Sequence, residues 1–267
     1  MFYEVRGEGF PVVVMHSYSL EHRSMMAYLE PVFAEHSGYK RYYLDLPGMG
    51  RTKGEDWMQS SDDMLQAVLN FLDETLPGQP FLLVGESYGG YMAQGIVYQR
   101  PHLVAGIALI CPMVEPEMSK RERPAHTVLT QDEDFLATLP EGDDKAAFQR
   151  LNVVQTPEVW TRFERDVLAG ARLYNPAFTQ RIRQNFGYSF DVRHLPEPFG
   201  KPALILLGRQ DSVAGYRDHL QILEQYPRAA FAILDRAGHN VALEQQALVT
   251  AHLHDWLKRV SLELNQA

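Results

Sequence analysis

The chain has 267 residues, 45% of them hydrophobic, enough for one large core or for a core with a small inserted domain. Its formal net charge of −9 repels phosphate backbones and speaks against nucleic-acid binding. A single cysteine, Cys111, excludes an intrachain disulfide and suits a reducing compartment, and no apolar run approaches the length of a membrane span.

In chain order, residues 2–6 read as a short strand turned by Gly7-Glu8-Gly9, and residues 11–15 as a buried strand ending at His16-Ser17-Tyr18. The first six residues lack the basic-then-apolar layout of a signal peptide. Residues 25–35 are a helix interrupted near Pro31. Residues 41–44 are the next strand and run into the turn-rich Asp45-Leu46-Pro47-Gly48-Met49-Gly50-Arg51-Thr52. After a polar stretch around Trp57, Ser60 caps a helix with Asp63 at the capping-box position. Met64, Leu65, Val68, Leu69 and Leu72 share its apolar face, and it stops before Pro77-Gly78. Residues 81–84 are a fully buried strand, 91–99 a helix stopped by Pro101, and 106–111 another buried strand. From 113 to 198 no convincing strand is found. Helices are predicted over 132–139, 143–153, 157–171 and 176–185, separated by polar, Pro-containing joints. The alternation resumes with a strand at 203–207, a helix at 216–225, a strand at 231–234 and a long helix at 243–260. Strands alternating with helices imply an α/β fold with a mostly parallel, doubly wound sheet, and 113–198 reads as a helical insertion. Ligands of such sheets sit beyond the carboxyl ends of the strands.

Between the 81–84 strand and the 91–99 helix lies Gly85-Glu86-Ser87-Tyr88-Gly89-Gly90, which is G-x-S-x-G at a strand-to-helix turn. The reason for the pattern is steric. So sharp a turn strains the serine backbone and brings together the residues two positions to either side, where only glycine fits. The strain lifts the Ser87 hydroxyl clear of the sheet. The following helix aims its free N–H groups and positive dipole end at the same place, where a developing oxyanion would be stabilised. An ordinary Gly-rich turn can carry the same letters by accident, so the rest of the chain decides.

A serine attacks only if a base takes its proton, and the base needs an orienting acceptor. For this turn the chain order is Ser, then Asp or Glu, then His. Asp211, in Leu207-Gly208-Arg209-Gln210-Asp211, and His239, in Ala237-Gly238-His239-Asn240, both fall just past strand ends on the edge that carries Ser87. Their plain alternatives are a turn or helix-capping aspartate and a surface histidine. A rival acid would follow the 106–111 strand, but the first carboxylate there is Glu115, so Asp211 is favoured. The loop after the 11–15 strand should supply the second oxyanion donor, making the backbone N–H groups of Tyr18 and Tyr88 the pair. His16 reads as a structural histidine that ties this loop down. Cys111, between a buried strand and a proline, has no obvious base. His252 and His254 point away from each other on a helix and make no metal site, and Gly48-Met49-Gly50 is too short for a dinucleotide fingerprint. The chemistry requires no cofactor and no metal.

The His16-Ser17 loop, the turn at 45–52, the Gly85–Gly90 stretch, Asp211 and Gly238-His239 together resemble the α/β-hydrolase fold superfamily over nearly the whole chain, in its capped serine hydrolase, esterase-like branch. Ser17 stands where members usually carry Gly, and Thr52 where they often carry Ser. The resemblance implies an eight-stranded sheet lacking part of its first hairpin and an architectural role for the 45–52 turn. It also implies a helical cap, 113–198, over a core of 1–112 and 199–267. Dehalogenases and epoxide hydrolases of this fold place aspartate where Ser87 stands, which argues against both.

The expectation is a cytoplasmic, cofactor-free serine hydrolase that cleaves a small, mostly apolar ester. Ser87 attacks, His239 is the base, Asp211 orients it, and the Tyr18 and Tyr88 N–H groups hold the oxyanion. C–C bond or lactone hydrolysis on the same triad is the alternative, as is a small-molecule receptor with vestigial hydrolysis; fold alone does not choose. The insertion leaves the sheet at its carboxyl edge and so should lie over Ser87. It carries Phe135, Trp160, Phe163, Tyr174, Phe178, Phe186 and Tyr188, most of them needed for its own packing. Trp160, Tyr174 and Phe178, with Ser17, are expected to bind substrate in a closed, largely apolar pocket. The expected partner is a small-molecule substrate, with no nucleic acid and no membrane, in a monomer or homodimer.

Overall fold

Seven strands form the main sheet of the computed structural model, which describes residues 1–265; the last two residues of the 199–267 segment lie outside the described residues. Strands β1 (Tyr3–Arg6), β2 (Phe10–Met15), β3 (Tyr39–Leu44), β4 (Phe81–Glu86) and β5 (Val104–Ile110) precede the insertion. Two-residue strands β6 (Thr130–Gln131) and β7 (Val154–Gln155) lie within it, and β8 (Ala203–Gly208) and β9 (Ala229–Leu234) follow it. The sheet order is β1-β3-β2-β4-β5-β8-β9. Strand β1 runs antiparallel to β3 and the other neighbours are parallel.

Both faces of this sheet are covered, which is why its central strands read as unbroken apolar runs. In β2, Val13 and Met15 face one core while Val12 and Val14 face the other; in β8, Ile205 and Leu207 oppose Leu204 and Leu206. Helices α2 (Ser61–Thr75) and α3 (Tyr88–Gln99) pack on the first face, and α1 (Arg23–Phe33) and α9 (Gln246–Leu264) on the second. The α2 cap forms as its sequence dictates: the Ser60 hydroxyl accepts the Asp63 N–H (3.2 Å), and Asp63 Oδ2 accepts the Gln59 N–H (2.8 Å). The 45–52 turn is braced in the same way, with Asp45 Oδ2 accepting the Arg51 N–H and Oδ1 accepting the His22 N–H and ring Nδ1–H.

The insertion contains α4 (Glu133–Thr138), α5 (Asp143–Leu151), α6 (Pro157–Phe163) and α7 (Pro176–Arg183). The structure differs from the sequence reading in four respects. Strands β6 and β7 pair in parallel; at two residues each they are too short to leave a periodic signal. The segment after α6 loosens into one π turn, Glu164–Leu168, and a 3₁₀ turn, Gly170–Arg172. Beyond the insertion, the segment expected as a helix at 216–225 is a 3₁₀ helix, Asp218–Gln225. Its buried His219 and Ile222 are three apart, which suits three residues per turn. The terminal helix is also divided, into α8 (Val241–Glu244) and α9, because Gln245 leaves helical geometry (φ −128°, ψ 44°). Among the described residues no helix is long and apolar enough to cross a membrane.

Candidate active site

Ser87 sits at the carboxyl end of β4 with φ 52° and ψ −113°, a region that costs a side-chain-bearing residue about 1–3 kcal/mol. The turn is held by its neighbours: the Ser87 N–H donates to Ile110 O (3.0 Å), and Ser87 O accepts from the N–H groups of Tyr91 and Met113. A Cβ on Gly85 would stand 2.4 Å from Gly89 O, and one on Gly89 only 2.1 Å from Met15 O. The two glycines are therefore required by the close approach of β4, α3 and the end of β2.

The carboxyl ends of β8 and β9 deliver Asp211 and His239 to the same edge. Ser87 Oγ lies 2.9 Å from His239 Nε2, and His239 Nδ1 lies 2.8 Å from Asp211 Oδ2. A carboxylate only accepts, so Nδ1 carries the proton and Nε2 faces the serine hydroxyl as acceptor. Asp211 Oδ1 is taken by the N–H groups of Val213 (2.8 Å) and Ala214 (2.9 Å). Burial opposes ionisation of Asp211, but the adjacent imidazole and these two N–H groups outweigh it and hold its carboxyl below the usual range. Burial likewise disfavours the His239 cation, and Asp211 more than compensates, so the imidazole sits above its ordinary value. Cys111 lies beside this pair, but burial pushes its thiol well up and leaves it a bystander.

The loop after β2 approaches Ser87 from the other side. His16 Nδ1 donates to Ser17 O (2.7 Å) and Nε2 accepts the Leu46 N–H (3.0 Å), so this fully buried ring ties the loop to the 45–52 turn. The Ser17 hydroxyl donates to Glu86 Oε1 (3.0 Å), whose other oxygen accepts from the Tyr28 hydroxyl (2.9 Å). Glu86 thus braces the loop through both of its oxygens. The Tyr88 N–H is the first of α3 and has no earlier helical carbonyl to meet. The rings of Tyr18 and Tyr88 meet edge to face with centroids 4.8 Å apart.

Ser87 opens into a cleft of about 850 Å³. Of the residues expected to bind substrate, Ser17, Trp160, Tyr174 and Phe178, none lines it. Ser17 faces Glu86 rather than the cleft. Trp160 packs edge-on against Phe148, at 5.1 Å, inside the insertion's own core. Phe178 is wedged between two glycines: a Cβ on Gly48 or Gly54 would strike its ring at 2.0 or 2.1 Å. Tyr174 lies beside it, at a separate depression near Gly48. The cleft walls are instead the two irregular joints of the insertion, residues 113–121 and 183–193. They bring an aromatic wall, with Tyr88 stacked on Phe186 (5.0 Å, 4°) and Tyr91 stacked on Tyr188 (4.2 Å, 9°). They also bring charge, including Glu115, Arg121, Arg183 and Arg193, so the cleft is not the largely apolar pocket expected. The signal that would have found these residues is topological: the two crossings between core and insertion must pass over the sheet edge that carries Ser87.

Residues 11–246 match the family model described as serine aminopeptidase, S33. Among curated proteins, the chain is 24% identical to a pimeloyl-[acyl-carrier protein] methyl ester esterase of Shewanella woodyi, over 95% of this chain and 96% of that one. It is 25% identical to the uncharacterized hydrolase YugF of Bacillus subtilis, over 80% and 79%, and 23% identical to the monoacylglycerol lipase ABHD6 of Bos taurus, over 81% and 67%. Among solved structures, an α/β superfamily hydrolase of Oenococcus oeni superposes with a TM-score of 0.89 at 27% identity, covering 97% of this chain and 96% of that one. With its parallel sheet and its serine at the turn between β4 and α3, the chain belongs to the serine aminopeptidase S33 family and is a hydrolase of the α/β-hydrolase fold.

Proposed function

We propose that the protein is a serine esterase that cleaves a small ester through an acyl-enzyme. The observation that carries this reading is the unbroken chain from Ser87 Oγ to His239 Nε2 (2.9 Å) and from His239 Nδ1 to Asp211 (2.8 Å). Ser87 Oγ bonds to the carbonyl carbon as its proton passes to His239 Nε2, and the carbonyl electron pair becomes an oxyanion facing the Tyr18 and Tyr88 N–H groups. His239 then protonates the departing alkoxide. Water, deprotonated by the same nitrogen, releases the acid and restores Ser87. Core residues 1–112 and 199–267 carry the triad, and the cap, 113–198, supplies the cleft walls through its joints. The partner is a small molecule.

Ester cleavage is preferred over the peptide cleavage named in the family description for a physical reason. An aminopeptidase must hold a free α-ammonium, and the carboxylates of this cleft are already engaged: Glu115 and Asp191 by Arg193, at 3.2 and 2.9 Å, and Glu117 by Lys120, at 2.6 Å. The relatives named for monoacylglycerol lipase and methyl ester esterase activity support the same choice. The test is an ester panel on wild type and Ser87→Ala, with intact-mass detection of an acyl adduct. Loss of turnover on the order of 10⁶-fold is expected for Ser87→Ala with folding intact; a purified Ser87→Ala protein that keeps most of the activity overturns the assignment.

A further inference from the structure

Two arginines of the Ser87 cleft, Arg121 and Arg183, make no ion pair among the described residues, although the chain as a whole carries a net charge of −9 and Asp211 and Glu115 lie near enough to favour the Arg121 charge from a distance. Arg121 is held by backbone carbonyls, with the neutral Met118 Sδ as a further acceptor of Nη1 (3.8 Å). Its Nε donates to Glu115 O (2.7 Å), Nη1 to Val213 O (3.1 Å) and Nη2 to Pro116 O (3.2 Å). Carbonyls orient a guanidinium and leave its charge in place. Arg183 is exposed and lies over the ring of Tyr18, 5.1 Å from its centroid, on the loop expected to face the oxyanion. The cleft's carboxylates cannot be reassigned to either arginine, because Arg193 takes Glu115 and Asp191 and Lys120 takes Glu117.

Placing two unpaired guanidiniums in one cleft is unfavourable in the empty protein, since they repel each other and Arg121 is partly desolvated. A bound anion offsets both costs and forms charge-assisted hydrogen bonds. We infer that the ester cleaved at Ser87 carries a carboxylate, which sits between Arg121 and Arg183 while the carbon skeleton lies against the Tyr88–Phe186 and Tyr91–Tyr188 stacks. This inference rests on the esterase reading and specifies its substrate class as a hemi-ester of a dicarboxylic acid, or an equivalent acid-bearing ester. A carboxylate is favoured over a phosphate group. Arg121 has already given most of its N–H groups to carbonyls, so few donors remain for three oxygens. Glu115, Glu117 and Asp191 lie in the same cleft and would oppose a dianion more than a single flat charge.

The experiment compares monoethyl glutarate with diethyl glutarate in a pH-stat assay, on wild type, Arg183→Lys and Arg183→Glu. The chain is the same in both esters and only the free carboxylate differs. Wild type should show a kcat/KM for the monoester about 10- to 100-fold above that for the diester, and added salt should shrink the ratio. Arg183→Glu should bring the ratio to one or below, mostly through KM, and Arg183→Lys should retain part of it. Arg183 is exposed, so these variants should fold; circular dichroism checks this. Inorganic phosphate should inhibit monoester cleavage less than glutarate does. A diester cleaved as well as the monoester, a ratio unmoved in Arg183→Glu, or phosphate as the stronger inhibitor overturns the carboxylate site while leaving the esterase reading intact. Failure to turn over either ester, with no adduct on Ser87 from any ester tried, overturns both.

Discussion

Replacing Gly89 by alanine tests the link between the turn and the chemistry. The new Cβ would lie 2.1 Å from Met15 O, 2.5 Å from Met15 C and 2.7 Å from His16 O. These are backbone atoms at the end of a central strand, so no rotamer change relieves the overlap. Restoring ordinary contact requires the first turn of α3 to retreat from β2 by roughly 1 Å, and the Tyr88 N–H retreats with it. Overpacking of this kind costs about 1–3 kcal/mol, which for a chain of this length lowers Tm by about 3–10 °C. A displacement of about 1 Å at reacting groups can cost about 10²-fold in rate, and the loss should fall on kcat because the oxyanion exists only after attack. Gly200→Ala is the control, since the added methyl group would meet nothing within 4 Å and the backbone φ there is unexceptional; it should stay within about 0.5 kcal/mol of wild type. Differential scanning fluorimetry and steady-state ester kinetics measure both. A Gly89→Ala protein with wild-type Tm and a kcat within about twofold of wild type would refute the steric account and the proposed position of the oxyanion.

Asp211→Asn should lower kcat on the order of 10⁴-fold by presenting an N–H where His239 needs an acceptor, whereas Glu115→Gln and Glu86→Gln should lose far less; the reverse pattern in steady-state rates sinks the triad assignment. Activity should fall as His239 protonates, and because Asp211 outweighs burial there the acidic limb of kcat/KM should lie above about 6.5; a profile flat down to about pH 4 contradicts a histidine base. Stability should show a separate dependence at His22, which burial pushes down but Asp45 and Glu21, at 2.8 and 2.9 Å, push up to about 9. A raised cation favours folding below its unfolded value of about 6.5 and loses that contribution, about 3 kcal/mol, as pH climbs through 9; urea midpoints of wild type minus His22→Asn that do not converge between pH 6 and pH 10 would exclude it. Trp160→Ala should destabilise the cap by about 3 kcal/mol, the low end for a tryptophan because the side chain is only partly buried, without reordering an ester series, while Tyr188→Ala should reorder it; the opposite result restores Trp160 as a substrate contact.

Much of the architecture was legible because the central strands are buried on both faces and bounded by turn residues, which makes them stand out as apolar runs. Ser87, Asp211 and His239 were legible for a related reason: each follows such a run, and strand ends of a parallel sheet share one edge. The cleft walls were not. Residues 113–121 and 183–193 have no periodicity, and their position depends on long-range anchors such as the Tyr188 N–H to the Tyr91 hydroxyl (2.9 Å) and Arg121 to Val213 O. Aromatic content misled as well, since Trp160 and Phe178 bury their surface in packing, and nothing local distinguishes them from Tyr188. The break at Gln245 was hidden too, because Glu244 is drawn off to the N–H groups of Gly238, Val153 and Val154, contacts set by the tertiary fold.

The cleft is walled by the two crossings of the insertion rather than by its helices, and this bears on where new specificity could be engineered. A saturation library spread over α4–α7 would place nearly all of its changes outside the cleft, and those at buried positions such as Leu136, Phe148, Phe163 and Ile182 would recover mainly unstable proteins. One confined to the exposed positions of 113–121 and 183–193 would vary the walls while leaving both hydrophobic cores, the turn at Ser87 and the Asp211–His239 pair intact. The same route is open to evolution: a few exchanges in two short, largely irregular stretches could redirect the enzyme to a different substrate without disturbing the scaffold that relatives share.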